Sequence, residues 1–170
     1  NNRILVYQGL KRIQMEKCCQ GILALLRISK RNVAQLAATD LAFSVAPRLN
    51  AAGRLDDMSL GIQCLLTENS ETAEHYAQQL DELNLERRDI EQEMQQQALK
   101  LMESLALDPR YLPNGICLYE PSWHQGVIGI LAGRMKDKFH RPVIAFADSP
   151  QENELKGSAR SISGIHIRDS

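Results

Sequence analysis

The sequence predicts an α/β chain in three parts: a helical first third, one long helix, and a βαβ unit. Three observations carry this expectation. Residues 1–68 read as short amphipathic segments separated by breaks. Residues 70–107 hold neither Pro nor Gly. Beyond Pro113-Asn114-Gly115, short apolar runs flank an amphipathic stretch. A length of 170 residues suits one ordinary domain or two small ones, and 44% hydrophobic with 24% charged residues is globular composition that argues against disorder. No apolar run approaches the roughly 18 residues of a membrane span, and Asn1-Asn2-Arg3 opens no signal peptide. A soluble, cytoplasmic protein without membrane contact is expected. Cys18, Cys19, Cys64 and Cys117 form no CxxC pair, so they read as reduced thiols used as small hydrophobes. The chain lacks an initiator Met and stops as a new periodic segment opens, which reads as an internal fragment.

Element by element, Ile4, Leu5, Gln8, Leu10, Arg12 and Ile13 suit one helix, and Gly21 precedes a second at Ile22–Leu26. Thr39-Asp40 offers an N-cap to a third that ends before Pro47. Pro47 to Asp57 reads as a polar, ordered loop around small residues, followed by a short helix from Ser59 to Leu66. From Ser70 to about Leu107, apolar residues recur at three- and four-residue steps, giving one helix roughly 55 Å long. Asn69 and Ser70 cap its start, and Asp108-Pro109 stops it. Asn84, Glu86, Arg87, Arg88 and Asp89 interrupt the stripe, so packing is expected at both ends with solvent between, and two lobes each with its own core. A coiled-coil dimerisation helix is the weaker alternative. Ile116–Tyr119 and Val143–Ala147 read as parallel strands joined by a helix over Val127–Phe139, and Leu155–Ile162 can supply a third strand.

The net charge of -1 hides an asymmetry. Residues 1–67 carry nine Lys/Arg against four Asp/Glu, residues 68–108 three against eleven, and residues 109–170 eight against six. Basic flanks around an acidic middle exclude a uniformly basic nucleic-acid coat and leave room for local anion sites.

Three stretches can carry chemistry. Glu120 to Gly129 lies between a strand and its helix, where α/β folds place ligands. Gly126 and Gly129 there let backbone amides approach an anion, and His124 offers a donor or base. Equally, Trp123 can be core and His124 a cap. In Lys156-Gly157-Ser158-Ala159-Arg160-Ser161, Ser158 and Arg160 share a strand face and suit one phosphate, unless this is a polar edge strand. Arg48, Asn50 and Arg54 flank Ala51-Ala52-Gly53, whose backbone can admit a sugar-phosphate chain, unless they are surface arginines on a loop. Asp56-Asp57 reads as a helix cap and only weakly as a metal site.

The runs Ala46-Pro47-Arg48-Leu49-Asn50-Ala51-Ala52-Gly53-Arg54-Leu55, Trp123-His124-Gln125-Gly126-Val127-Ile128-Gly129, Phe139-His140-Arg141-Pro142-Val143-Ile144 and Gly157-Ser158-Ala159-Arg160-Ser161, in this order, resemble the bacterial RecJ exonuclease family of the DHH phosphoesterase superfamily. The resemblance covers essentially the whole chain. It implies the helical end of a DHH domain at 1–68, a connecting helix at 69–108, and the truncated start of a DHH-associated domain at 109–170. It also implies metal-dependent 5′-to-3′ hydrolysis of single-stranded DNA in recombination and repair, with Mn²⁺ or Mg²⁺. By resemblance His124 is catalytic, and Arg48, Asn50, Arg54, Gln125, Gly126, Ser158, Arg160 and Ser161 bind the strand. The family's metal ligands have no equivalent set in this sequence, so no metal ligand is assigned and the fragment alone is expected to be inactive. Two rivals stand: a DHH-type phosphodiesterase of short oligonucleotides or cyclic dinucleotides, and a helical adaptor that uses residues 70–107 as a rod.

Overall fold

In the computed structural model, which describes residues 2–104, 113–151, 153–165 and 167, the chain divides into two compact units, Asn1–Arg87 and Arg88–Ser170. In the first, α1 (Asn2–Gln14) is a surface helix with no buried residue, tied down by Leu10, Ile13 and a bond from Gln14 Nε2 to the Leu36 carbonyl at 2.9 Å. Its successor α2 (Gln20–Ile28) is nearly all apolar and disappears into the core through Leu23, Ala24, Leu25 and Leu26. It packs on α5 (Ser59–Leu66) so closely that a methyl group at Gly21 would overlap the Cys64 carbonyl. Cys64 is fully buried beneath that contact, and burial pushes its thiol up to about 11, so it packs as a protonated hydrophobe.

Two expectations for this unit are overturned. A third helix does begin at α3 (Ala38–Asp40), with the Asp40 carboxylate accepting from the Ala37 N–H at 2.9 Å, but it does not end before Pro47. It passes through a π-helical turn at Leu41–Val45 directly into α4 (Ala46–Leu55), so the polar segment expected to be a loop is helix. The reason is local. Ala46 N–H reaches five residues back to the Leu41 carbonyl, and the widened turn accommodates Pro47 near the helix start, where a missing N–H does least harm. Beyond it, Ala51 and Ala52 are good helix formers and lie fully buried.

The longest element, α6 (Ser70–Ser104), is capped by Asn69, whose Oδ1 accepts from the Thr72 N–H at 2.9 Å. The expected stop at Asp108-Pro109 lies outside the described residues. The polar centre also differs from expectation. Leu85, Glu86, Arg88 and Asp89 do face solvent, but Asn84 is fully buried and Glu91 nearly so. Ala73, Ala77, Leu80, Asn84, Glu91, Met94, Ala98 and Met102 fall on one stripe at steps of three, four and seven, so polar residues continue the packed face.

In the second unit β1 (Ile116–Tyr119) runs parallel to the central β2 (Val143–Asp148), and β3 (Leu155–Arg160) completes the sheet antiparallel to β2. The amphipathic α7 (Ile128–Phe139) joins β1 to β2 as the βαβ unit requires, burying Ile128, Leu131, Ala132 and Met135 against β2 and β3. His140, at φ 51°, ends it in the left-handed region, two residues before Pro142. The later half of α6 is held to this unit by Trp123 Nε1 donating to Gln97 Oε1 at 2.8 Å and by the Arg134–Glu91 pair at 3.0 Å. No helix of the described residues is long and apolar enough to cross a membrane.

Candidate functional site

The loop from Glu120 to Val127 leaves the carboxyl end of β1 and delivers the chain to the start of α7. Trp123 is its anchor: the ring is buried, its N–H reaches Gln97, and its backbone N–H closes a turn on the Glu120 carbonyl at 3.1 Å. With its neighbour so fixed, His124 has a defined orientation. Its carbonyl accepts from Val127 N–H at 2.9 Å and from Ile128 N–H at 3.2 Å, and its Nδ1 accepts from Gly126 N–H at 3.1 Å. An acceptor Nδ1 puts the ring proton of the neutral imidazole on Nε2, which is left as a directed donor. Trp123 is therefore core, and His124 caps the loop in a way that fixes its tautomer, with the Gly126 N–H spent on that cap.

Across from this loop, β3 contributes the second half of the site. Ser158 and Arg160 sit opposite Ala145 and Val143 of β2, and Arg160 Nη1 donates to Ser158 Oγ at 3.2 Å and to the Ala159 carbonyl at 2.8 Å. Both converge on Gly129 in the first turn of α7. The position that a β-carbon would occupy there lies 3.0 Å from Arg160 Nη2 and 3.0 Å from Ser158 Oγ. A hydroxyl and a guanidinium thus lie against the first turn of a twelve-residue helix, where the Val127 and Ile128 N–H groups are already taken by the His124 carbonyl. Gly157 is equally constrained, since a β-carbon would come within 2.5 Å of the Phe146 ring.

The remaining expected residues divide. Gln125 lines a neighbouring recess of about 420 Å³ together with Ser149, Glu154 and Lys156, while Ser161 Oγ accepts from the Ile167 N–H at 3.1 Å and holds the following turn. Arg48, Asn50 and Arg54 belong to α4 in the first unit. Because α4 is a helix with Ala51 and Ala52 buried, its backbone cannot offer the close approach expected of an open Ala-Ala-Gly loop. Asn50 and Arg54 are exposed, whereas the Arg48 guanidinium is bound to Asp81 of α6 at 2.7 Å from both Nε and Nη2 and to the Ser44 carbonyl. The partner of Arg48 could not be read from the sequence, because Asp81 is one of many acids on α6. At 13% and 23% side-chain exposure this pair is largely desolvated. Arg48→Met and Asp81→Asn should each lower stability by about 2 kcal/mol. Urea titrations of both single variants and the double variant test it. Strict additivity would show that the two side chains are not coupled.

Asp57 is a local cap: its Oδ1 accepts from Ser59 N–H and Oγ–H, each at 2.9 Å, and those bonds hold its carboxyl below the ordinary value. No group of three or more His, Cys, Asp or Glu among the described residues is placed to hold a metal ion.

Residues 112–170 match the family model of the DHHA1 domain. The chain is 57% identical over 169 residues to the single-stranded-DNA-specific exonuclease RecJ of Salmonella typhimurium and 32% identical to that of Bacillus subtilis, covering 99% of this chain in both cases. It spans 29% of the first of these relatives and 21% of the second. Among solved structures, RecJ of Thermus thermophilus in complex with Mg²⁺ superimposes with a TM-score of 0.81 at 31% identity, covering 99% of this chain and 24% of that one. Exonuclease RecJ bound to manganese also gives 0.81 at 32% identity, over 99% of this chain and 39% of the other.

Proposed function

The chain belongs to the RecJ family, and from that premise we propose that the protein carrying it is an exonuclease that hydrolyses single-stranded DNA from the 5′ end in recombination and repair, in the cytoplasm. In this reading residues 1–68 are the helical end of a DHH domain, residues 69–108 the connecting helix, and residues 109–170 the start of the DHH-associated domain. The observation that carries the reading is the convergence of Ser158 Oγ and Arg160 Nη2 on Gly129 at the start of α7, which makes a cradle for one phosphate. Arg160 supplies a planar fork for two phosphate oxygens, the Ser158 hydroxyl a neutral donor, and His124 presents Nε2–H toward the reacting phosphate. Gln125, Gly126 and Ser161 shape the surroundings of that cradle. Asn50 and Arg54 line the strand's path, and Arg48, through Asp81, holds the helix that presents them.

The relatives bound to Mg²⁺ and manganese support a divalent ion in the whole protein. Among the described residues of this chain no side-chain cluster fits such an ion, and no step through it is assigned to these side chains.

The runner-up, a phosphodiesterase of short oligonucleotides, shares the phosphate cradle and differs in substrate length. The deciding experiment compares hydrolysis of a long single strand, the matching duplex and dinucleotides by the full-length protein with Mn²⁺. The exonuclease reading expects release of mononucleotides from a 5′-labelled long strand, with the duplex resistant. Preferential turnover of dinucleotides would replace it by the runner-up.

A further inference from the structure

Cations in the first unit have two fates. Arg27, Arg31 and Arg48 are paired with Glu74, Asp40 and Asp81. Arg3, Lys11, Arg12 and Lys17, on α1 and just beyond it, are exposed, and no described carboxylate pairs with them. Residues 1–39 as a whole carry seven Lys/Arg against the single acid Glu16, so the segment's own sequence leaves the helix strongly basic. Arg3, Tyr7 and Lys11 follow at four-residue steps on neighbouring positions of the helix surface, about 6 Å apart along its axis, the scale of one nucleotide step. Tyr7 is 53% exposed, and Lys11 Nζ lies 4.7 Å from its ring centroid. A half-exposed ring with Lys11 over one face, flanked by cations that no described carboxylate neutralises, matches how single strands are held without sequence preference: phosphates meet the cations and a base stacks on the ring's other face. The exposed apolar residues Ile4, Leu5 and Val6 are consecutive and so point three ways around the helix, forming no single face for a lipid or a partner helix.

We propose that α1 is a track for single-stranded DNA, with Arg3 and Lys11, about 12 Å apart along the axis, on phosphates two nucleotide steps apart and Tyr7 beside a base between them. This rests on the DNA reading above and adds a contact surface in the other unit from the phosphate cradle. The test is equilibrium binding of an oligodeoxythymidine to the full-length protein with metal omitted, across a salt series. Arg3→Gln with Lys11→Gln is expected to weaken binding on the order of tenfold at low salt and to lower the log–log salt slope by about 1.4, since each cation on a single strand accounts for about 0.7. Tyr7→Ala should weaken binding several-fold and leave the slope unchanged, and Arg3→Lys with Lys11→Arg should restore it. These positions are exposed in this chain, and melting temperatures measured on the same full-length variants separate a folding defect from a loss of binding. Wild-type affinity and slope in the double glutamine variant would overturn the track, as would a change in sedimentation instead of binding, which would make α1 a protein-docking face. If Arg160→Ala weakens binding in the same assay while the α1 variants do not, the track alone falls. If the wild-type protein binds no single strand, the functional reading falls with it.

Discussion

Alanine at Gly21 is expected to destabilise the first unit by about 3 kcal/mol, the upper end for overpacking a core. The added methyl would overlap the Cys64 carbonyl, a backbone atom that cannot rotate aside, so α2 and α5 must part. Leu25, Leu26 and Cys64, all fully buried, would lose packing along with it. Gly9 supplies the control. It also lies in a helix of this unit, but a methyl added there would have nothing within 4 Å, so Gly9→Ala should stabilise by up to about 1 kcal/mol through helix propensity alone. Urea unfolding followed by helical circular dichroism reads both. Equal effects at the two glycines would mean that the α2–α5 contact relaxes without cost.

The second large effect concerns the phosphate cradle in the full-length protein. Arg160→Ala should weaken single-strand binding and cleavage on the order of 100-fold, because paired charge-assisted bonds to one phosphate contribute about 3 kcal/mol together. Arg160→Lys keeps the charge and loses the fork, so about tenfold is expected. Gly129→Ala removes no charge but sets a methyl 3.0 Å from both Ser158 Oγ and Arg160 Nη2, and should fall between the two. His124→Ala should act on single-turnover rate and leave affinity nearly unchanged, since a group facing the reacting phosphate is felt most in the transition state. Binding measured without metal separates these cases. Arg160 variants indistinguishable from wild type would remove the phosphate assignment, and a loss of affinity alone in His124→Ala would make that residue an anchor.

The second unit was largely legible in its sequence, whereas the first was only partly so. Strand–helix–strand order, the parallel β1–β2 pair and the shared face of Ser158 and Arg160 follow from a period-two pattern broken by Pro and Gly, a local signal that tertiary packing had no reason to override. Pro47 misled because its meaning depends on the turn before it, and a π turn leaves no mark in composition. Asn84 misled because polarity was equated with solvent, while burial follows the helical period, as the nearly buried Glu91 also shows, its partner Arg134 arriving from distant sequence. The acid that holds Arg48 was hidden for the same reason. Its nearest equivalents on α6 differ from Asp81 only in angular position, which one sequence does not reveal.

The π turn at Leu41–Val45 acts as a phase shift. One residue beyond the ordinary α-helical count advances everything downstream by about 100° around the axis. With that residue in place, Ala51 and Ala52 turn inward, Arg48 meets Asp81, and Asn50 and Arg54 turn outward. A single deletion in the turn would leave the composition of α4 untouched and rotate each of these groups by more than a quarter of a circle, carrying alanines toward water and arginines toward the core. The orientation of α4's two faces is thus stored upstream of them, in the length of a five-residue turn.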